Sequence, residues 1–130
     1  MILEVPSMLI TDDDRDFRET LRGVFETRGF RTLLAEDGQQ AIEIVHREQI
    51  HVALLDMHMP RLTGLETIRR VKRVRAVVPC ILISAEMDEG LAEEAKEVDA
   101  FSSLSKPVSL AEITQTVSLA MRTAYDWPAA

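Results

Sequence analysis

Short apolar runs alternate with longer amphipathic stretches along this chain. The runs are MLIT at 8–11, TLLA at 32–35, HVALL at 51–55, CILI at 80–83 and AFSSL at 100–104. Each has the length and the flanks of a β-strand. Between them the apolar residues recur with helical spacing. Phe17, Leu21, Val24 and Phe25 form one stripe, Ala41, Ile42 and Val45 a second, and Leu110, Ile113, Val117 and Met121 the last; each is a face that has to be buried against something. The pattern also predicts a third helix from about Thr63 to Arg75 and a fourth from about Asp88 to Val98, the fourth acidic and short of apolar residues.

Strand and helix repeated five times predict an α/β fold, in which right-handed crossovers lay helices over both faces of a five-stranded parallel sheet. The runs are apolar throughout, as strands covered on both faces require. In the doubly wound order 2-1-3-4-5, the strand order reverses between the first and third strands, and ligands bind there at the carboxyl ends. What stands at each strand's end therefore matters. The first strand runs into Asp12, Asp13 and Asp14, the third into Asp56, the fourth into Ser84 and the fifth into Lys106. Glu36 and Asp37 end the second strand, on the far side of the first. Four polar ends are thus expected to converge on one crevice.

Composition narrows the chemistry. At 130 residues and 46% hydrophobic, the chain reads as a single domain, residues 1–130 with a core at about 8–121. Its 15 basic against 22 acidic residues leave a net charge of −7. That balance argues against direct nucleic-acid binding, which needs a basic footprint. The single cysteine, Cys80, excludes an intramolecular disulfide framework and points to a reducing compartment. The opening residues lack the basic segment and apolar run of a signal peptide, and no stretch approaches the ~18 apolar residues of a membrane span. The expectation is a soluble, cytoplasmic protein with no membrane contact, whose partner is a protein or a cation.

Three carboxylates brought together repel, and such a site either takes up a proton or binds a cation. All the candidate ligands are hard oxygens, which favours Mg²⁺ over zinc or copper. Mg²⁺ works with a few carboxylates and a substrate phosphate, so the set points to phosphoryl transfer with Asp56 as the nucleophile. Ser84 and Lys106 then have roles. A hydroxyl and an ammonium aimed at phosphoryl oxygens stabilise the charge that develops on them.

With ITDDD at 10–14, LLDMHMPRLTG at 54–64, ILISA at 81–85 and SKP at 105–107, the chain from about Met8 to Met121 resembles the receiver domains of two-component response regulators, of the chemotaxis-receiver type. Each motif alone is weak; four in order at family spacing are specific. The resemblance implies a flavodoxin-like (βα)5 fold with Asp56 as phosphoacceptor. It also implies Asp13 as a direct Mg²⁺ ligand, Asp12 as a ligand often acting through water, and the backbone carbonyl of His58 as the remaining protein ligand. Ser84 matches the family's phosphoryl-binding hydroxyl, Lys106 its lysine followed by a cis proline, and Gly64 the glycine where the third helix starts. The implied partners are a sensor histidine kinase or a phosphotransfer protein, with an output domain or target protein downstream and homodimerisation on phosphorylation as a further option. No enzyme activity is expected beyond the domain's own phosphorylation and slow dephosphorylation.

Two residues depart from the family pattern. Asp99 stands where glycine usually precedes the alanine that opens the fifth strand, and Ser103 stands where Tyr or Phe is usual. In the family that aromatic swings into the space vacated by the strand-4 hydroxyl, so the departure bears on how phosphorylation is read out. Phe101, two residues earlier, is expected on the same face as a partial substitute.

Blander readings compete at other positions. Asp14 is assigned as a helix N-cap, His46 to the surface, His51 to a strand start and Cys80 to the core. The basic run RRVKRVR at 69–75 reads as a solvated helix face, and Tyr125 and Trp127 as a frayed end, the alternatives being the start of a linker or cover for a partner surface. Glu86 and His58 are expected to flank the path of water to Asp56. The alternative function is a receiver-like module that binds partners without phosphorylation, against which the intact Asp12, Asp13, Asp56, Ser84 and Lys106 argue. A small-substrate aspartyl-phosphate hydrolase would want a second carboxylate just after the nucleophile, where Met57 and His58 supply none.

Overall fold

The computed structural model describes residues 5–127. Five strands, β1 (Ser7–Thr11), β2 (Arg31–Ala35), β3 (Val52–Asp56), β4 (Cys80–Ser84) and β5 (Ser102–Ser105), alternate with five helices. The helices are α1 (Arg15–Thr27), α2 (Gly38–Arg47), α3 (Gly64–Val74), α4 (Glu89–Glu97) and α5 (Leu110–Tyr125). All strand pairs are parallel and the order is β2-β1-β3-β4-β5, as the pattern predicts.

Each helix starts where a short oxygen-bearing side chain can accept first-turn backbone N–H groups that have no partner within the helix. Asp14, Asp37, Thr63, Asp88 and Ser109 are these caps, so Asp14 has the role assigned to it. At α3 the cap is reciprocal. The Glu66 N–H donates to the Thr63 hydroxyl at 3.2 Å, and the Thr63 N–H donates to the Glu66 carboxylate at 2.9 Å.

The sheet separates two cores. Leu9, Ala53, Leu55 and Leu82 meet α2, α3 and α4 on one face, while Met8, Ile10, Leu54, Ile81 and Ile83 meet α1 and α5 on the other. Burial on both faces is why the strands read as unbroken apolar runs. In α2, Ile44 rather than Ile42 joins Ala41 and Val45 in the buried stripe. The basic run behaves as a solvated face, with Arg69, Arg70, Arg73 and Arg75 exposed around a buried Val71. Among the described residues, no helix is long and apolar enough to cross a membrane.

The structure corrects the sequence reading at two further places. The fifth strand begins at Ser102, not at residue 100, because the end of α4 claims the preceding backbone. The Ala100 N–H donates to the Ala95 carbonyl at 2.9 Å and the Asp99 N–H to the Lys96 carbonyl at 3.0 Å, the Schellman closure of a helix. Asp99 sits at its left-handed position with φ 63°, which explains why glycine is the comfortable residue there. Phe101 consequently precedes the strand and packs with the α1 and α5 core, whereas Ser103, in register with Leu82, faces the α4 side. Phe101 and Ser103 nevertheless both border the cleft beside α4.

The second correction concerns the end of α5, which is pinned rather than frayed. The Tyr125 hydroxyl donates to the His51 carbonyl at 2.6 Å, and the Trp127 ring meets Phe30 edge-on at 5.1 Å.

Candidate functional site

β1 and β3 are neighbours in the sheet, so the residues that follow them emerge side by side. Asp12 leaves β1 with its N–H donating to the Ala35 carbonyl at 3.1 Å, and Asp56 is the last residue of β3. Both are buried, while Asp13 is exposed. Carboxylate oxygens of Asp12, Asp13 and Asp56 lie within 4.8 Å of one another. The predicted acidic cluster is therefore assembled, and it consists of hard oxygen donors alone.

Lys106 reaches this cluster from the far side of the crevice. Its ammonium lies 3.0 Å from Asp12 Oδ2 and 3.4 Å from Asp56 Oδ1, bridging residues that end two different strands. Its backbone is held by the Lys106 N–H donating to the Ser84 carbonyl at 2.9 Å, and the Lys106–Pro107 peptide is cis. Ser84, the last residue of β4, is fully buried. Its Oγ accepts from the Glu86 N–H at 3.0 Å, which leaves the hydroxyl proton free to be donated. Across the opening, His58 Nε2 lies 3.7 Å from the Glu86 carboxylate.

Electrostatics follow from this crowding. Burial raises the pKa of Asp56, the Asp12 charge adds to the rise, Lys106 opposes it and Asp13 adds a little more. The net direction is upward, with burial the leading cause. Burial pulls the Lys106 pKa down, but its contacts with Asp12 and Asp56 outweigh burial and leave it raised.

Gly64 sets the distance between α3 and the end of β3. A Cβ at this position would stand 2.6 Å from the Asp56 carbonyl oxygen and 2.7 Å from Leu82 Cδ1, so only glycine lets the helix approach. Its N–H donates to the Met57 carbonyl at 3.0 Å, shaping the loop that carries His58.

The family model of the response regulator receiver domain matches residues 8–118. The chain belongs to this family. Sporulation initiation phosphotransferase F of Bacillus subtilis (strain 168) is 34% identical to this receiver over 110 residues, covering 85% of the chain and 89% of the relative. Response regulator MprA of Mycobacterium leprae (strain TN) is 33% identical over 117 residues, covering 88% of the chain and 50% of the relative. The receiver thus spans nearly all of the first relative and half the length of the second. A CheY-like response regulator receiver domain protein from Methanospirillum hungatei JF-1 shares the fold, with a TM-score of 0.90 at 17% identity over 94% of this chain and 98% of that one.

Two residues of the receiver's site escape sequence reasoning. Arg18 Nη1 donates to the Asp12 carbonyl at 2.6 Å, fixing the loop from which Asp12 and Asp13 project. Phe17 lies beneath Lys106, with Nζ 4.8 Å from the ring centroid. The only available signal was their place one turn past the aspartates on α1, and Phe17 is equally accounted for there as a member of the apolar stripe.

Proposed function

We propose that this receiver is a phosphorylation switch in which Asp56 accepts a phosphoryl group from a sensor histidine kinase or a phosphotransfer protein in the cytoplasm. Asp12, Asp13, Asp56 and the His58 backbone carbonyl would hold Mg²⁺. The observation that carries the reading is the ammonium of Lys106 set between Asp12 and Asp56. All-oxygen donors with a shortage of positive charge suit a hard divalent ion. When bound, Mg²⁺ supplies charge that offsets the phosphoryl oxygens.

The chain's own residues have distinct tasks in this reading. An Asp56 oxygen attacks phosphorus, and the environment that raises its pKa also makes it the more basic nucleophile. Lys106 turns from the carboxylates to the phosphoryl oxygens, and the Ser84 hydroxyl donates to another, so both stabilise charge as it develops. His58 and Glu86, facing each other at the opening, orient the water that later hydrolyses the acyl phosphate. The name of the Bacillus relative, a phosphotransferase, supports transfer rather than a phosphorylation-independent scaffold. Phosphorylation would then act on an output domain, a target protein or a second copy of the receiver.

Intact mass after incubation with phosphoramidate and MgCl₂ tests the proposal. One phosphoryl group is expected on the wild type and none on Asp56→Asn or in excess EDTA; an adduct in either control overturns the assignment. The same adduct should form on His58→Ala and Glu86→Ala but decay at an altered rate. Unchanged lifetimes in both variants would remove these residues from the hydrolytic step.

A further inference from the structure

Lys106 carries a compact charge on a flexible four-carbon stem, yet the site needs that charge at one corner. Asp12 and Asp56 hold it from one side. On another side lies the face of Phe17, its centroid 4.8 Å from Nζ. A cation within about 6 Å of an aromatic face is drawn by the ring's negative π cloud, more strongly as it loses water. The Lys106 side chain keeps 26% of its exposure, so much of that water is already gone.

Phe17 stands at the end of its stripe nearest the site. Leu21 and Phe25, further along α1, are fully buried, whereas Phe17, like Val24, is half-buried. With Lys106, Pro107 and Val108 it lines a cleft of about 470 Å³ at the edge of the site. Apolar packing alone would be met there by leucine; the ammonium above the ring is what calls for a π face.

Resting on the phosphoryl-transfer reading of Asp56, we infer that Phe17 is a positioning residue for that reaction. Its ring holds the Lys106 ammonium at the site while the ammonium changes partners. With phosphoramidate as donor, an Asp56 oxygen bonds to phosphorus as the P–N bond breaks, and the already protonated nitrogen leaves as ammonia with the bond's electron pair. During this exchange Lys106 gives up Asp56 for the phosphoryl oxygens. A hydrogen bond would fix its direction; attraction to a π face lets the ammonium pivot without leaving.

Fluorination separates the ring's charge from its packing, because each fluorine withdraws density from the face while shape changes little. Phenylalanines carrying one, two and three fluorines are incorporated at position 17, and the rate of adduct formation from phosphoramidate and Mg²⁺ is measured at matched folding, checked by melting temperature. The rate is expected to fall stepwise, about threefold by the trifluoro ring. Phe17→Leu should fall at least as far and Phe17→Tyr should retain the rate. The steps should vanish in a Lys106→Met background, followed over longer times. A flat fluorine series in reactive protein overturns the inference and leaves the role of Asp56 standing. A wild type that takes no phosphoryl group overturns the Asp56 reading and this inference with it, so the two failures are told apart by the unmodified protein.

Discussion

His51 shows how much one buried side chain can decide. It stands one residue before β3, with its ring buried and Nδ1 accepting the Ser7 N–H at 2.9 Å. That bond requires an unprotonated Nδ1, hence a neutral ring with its proton on Nε2. Tyr125 meets the ring edge-on at 5.5 Å. Burial lowers the His51 pKa from its ordinary 6.5, so the folded state takes up a proton less readily than the unfolded state. Its contribution is therefore complete above pH 6.5 and is lost as pH falls from there through the folded value. Urea unfolding at about pH 7.5 and 5.5 should show a larger loss of stability on acidification in wild type than in His51→Asn, whose side-chain oxygen keeps the acceptor without titrating. Equal losses would mean that other groups govern this range. The place of His51 beside the start of β3 was legible from the sequence, although the strand itself begins at Val52. Its tautomer was not, because the partner is a backbone group 44 residues away.

Among the elements, α4 is the least anchored to the sheet. Its one fully buried residue is Ala95, and between the helix and β5 lies a cleft of about 250 Å³ bordered by Ala92, Ala95 and Ser103. Ser103 faces this space and is too small to fill it. An element with few buried apolar contacts opens at low cost, and a ligand moves an equilibrium only by its difference in free energy between the two states. Amide shifts on adding a phosphoryl mimic are therefore expected to be largest at residues 85–98 and small at 102–105, with Ser103→Tyr bringing the strand into the response. Large wild-type shifts at 100–104 with little at 85–98 would place the switch on the strand instead. The sparse apolar pattern of α4 could be read from sequence. The displaced start of β5 could not, because it depends on Asp99 adopting a left-handed backbone to close the helix, a conformation commoner in glycine.

At the scale of the whole molecule, the fold concentrates charge that an acidic chain can ill offset. The raised pKa of Asp56 means that the folded state favours its protonated form. The cost of ionising it is absent below the unfolded pKa near 3.8 and grows as pH rises through the folded value. Asp56→Asn should accordingly melt roughly 2–6 °C higher than wild type at neutral pH without divalent ions, with the difference closing near pH 3. A variant less stable than wild type at pH 7 would show that Lys106 compensates Asp56 fully. The convergence of Asp12, Asp13, Asp56 and Lys106 was legible because parallel-sheet topology brings the carboxyl ends of neighbouring strands to one edge. Which atoms touch was not. The Lys106 to Asp12 bond joins residues 94 positions apart, and side-chain reach over such a span leaves no periodic trace.

The two close-packed glycines divide the rim of the site into unequal partners. Gly64 presses α3 against the Asp56 backbone, and a Cβ on Gly38 would collide with Thr67 and Leu62, so the start of α2, the first turn of α3 and the loop after Asp56 are wedged together. That side works as an anvil. The opposite side, formed by the β4–α4 segment and its cleft, has room to travel. If Asp56 is phosphorylated as proposed, the wall that carries it has no slack to take up the blow, and the displacement is expected across the crevice, in the jaw beside the cleft.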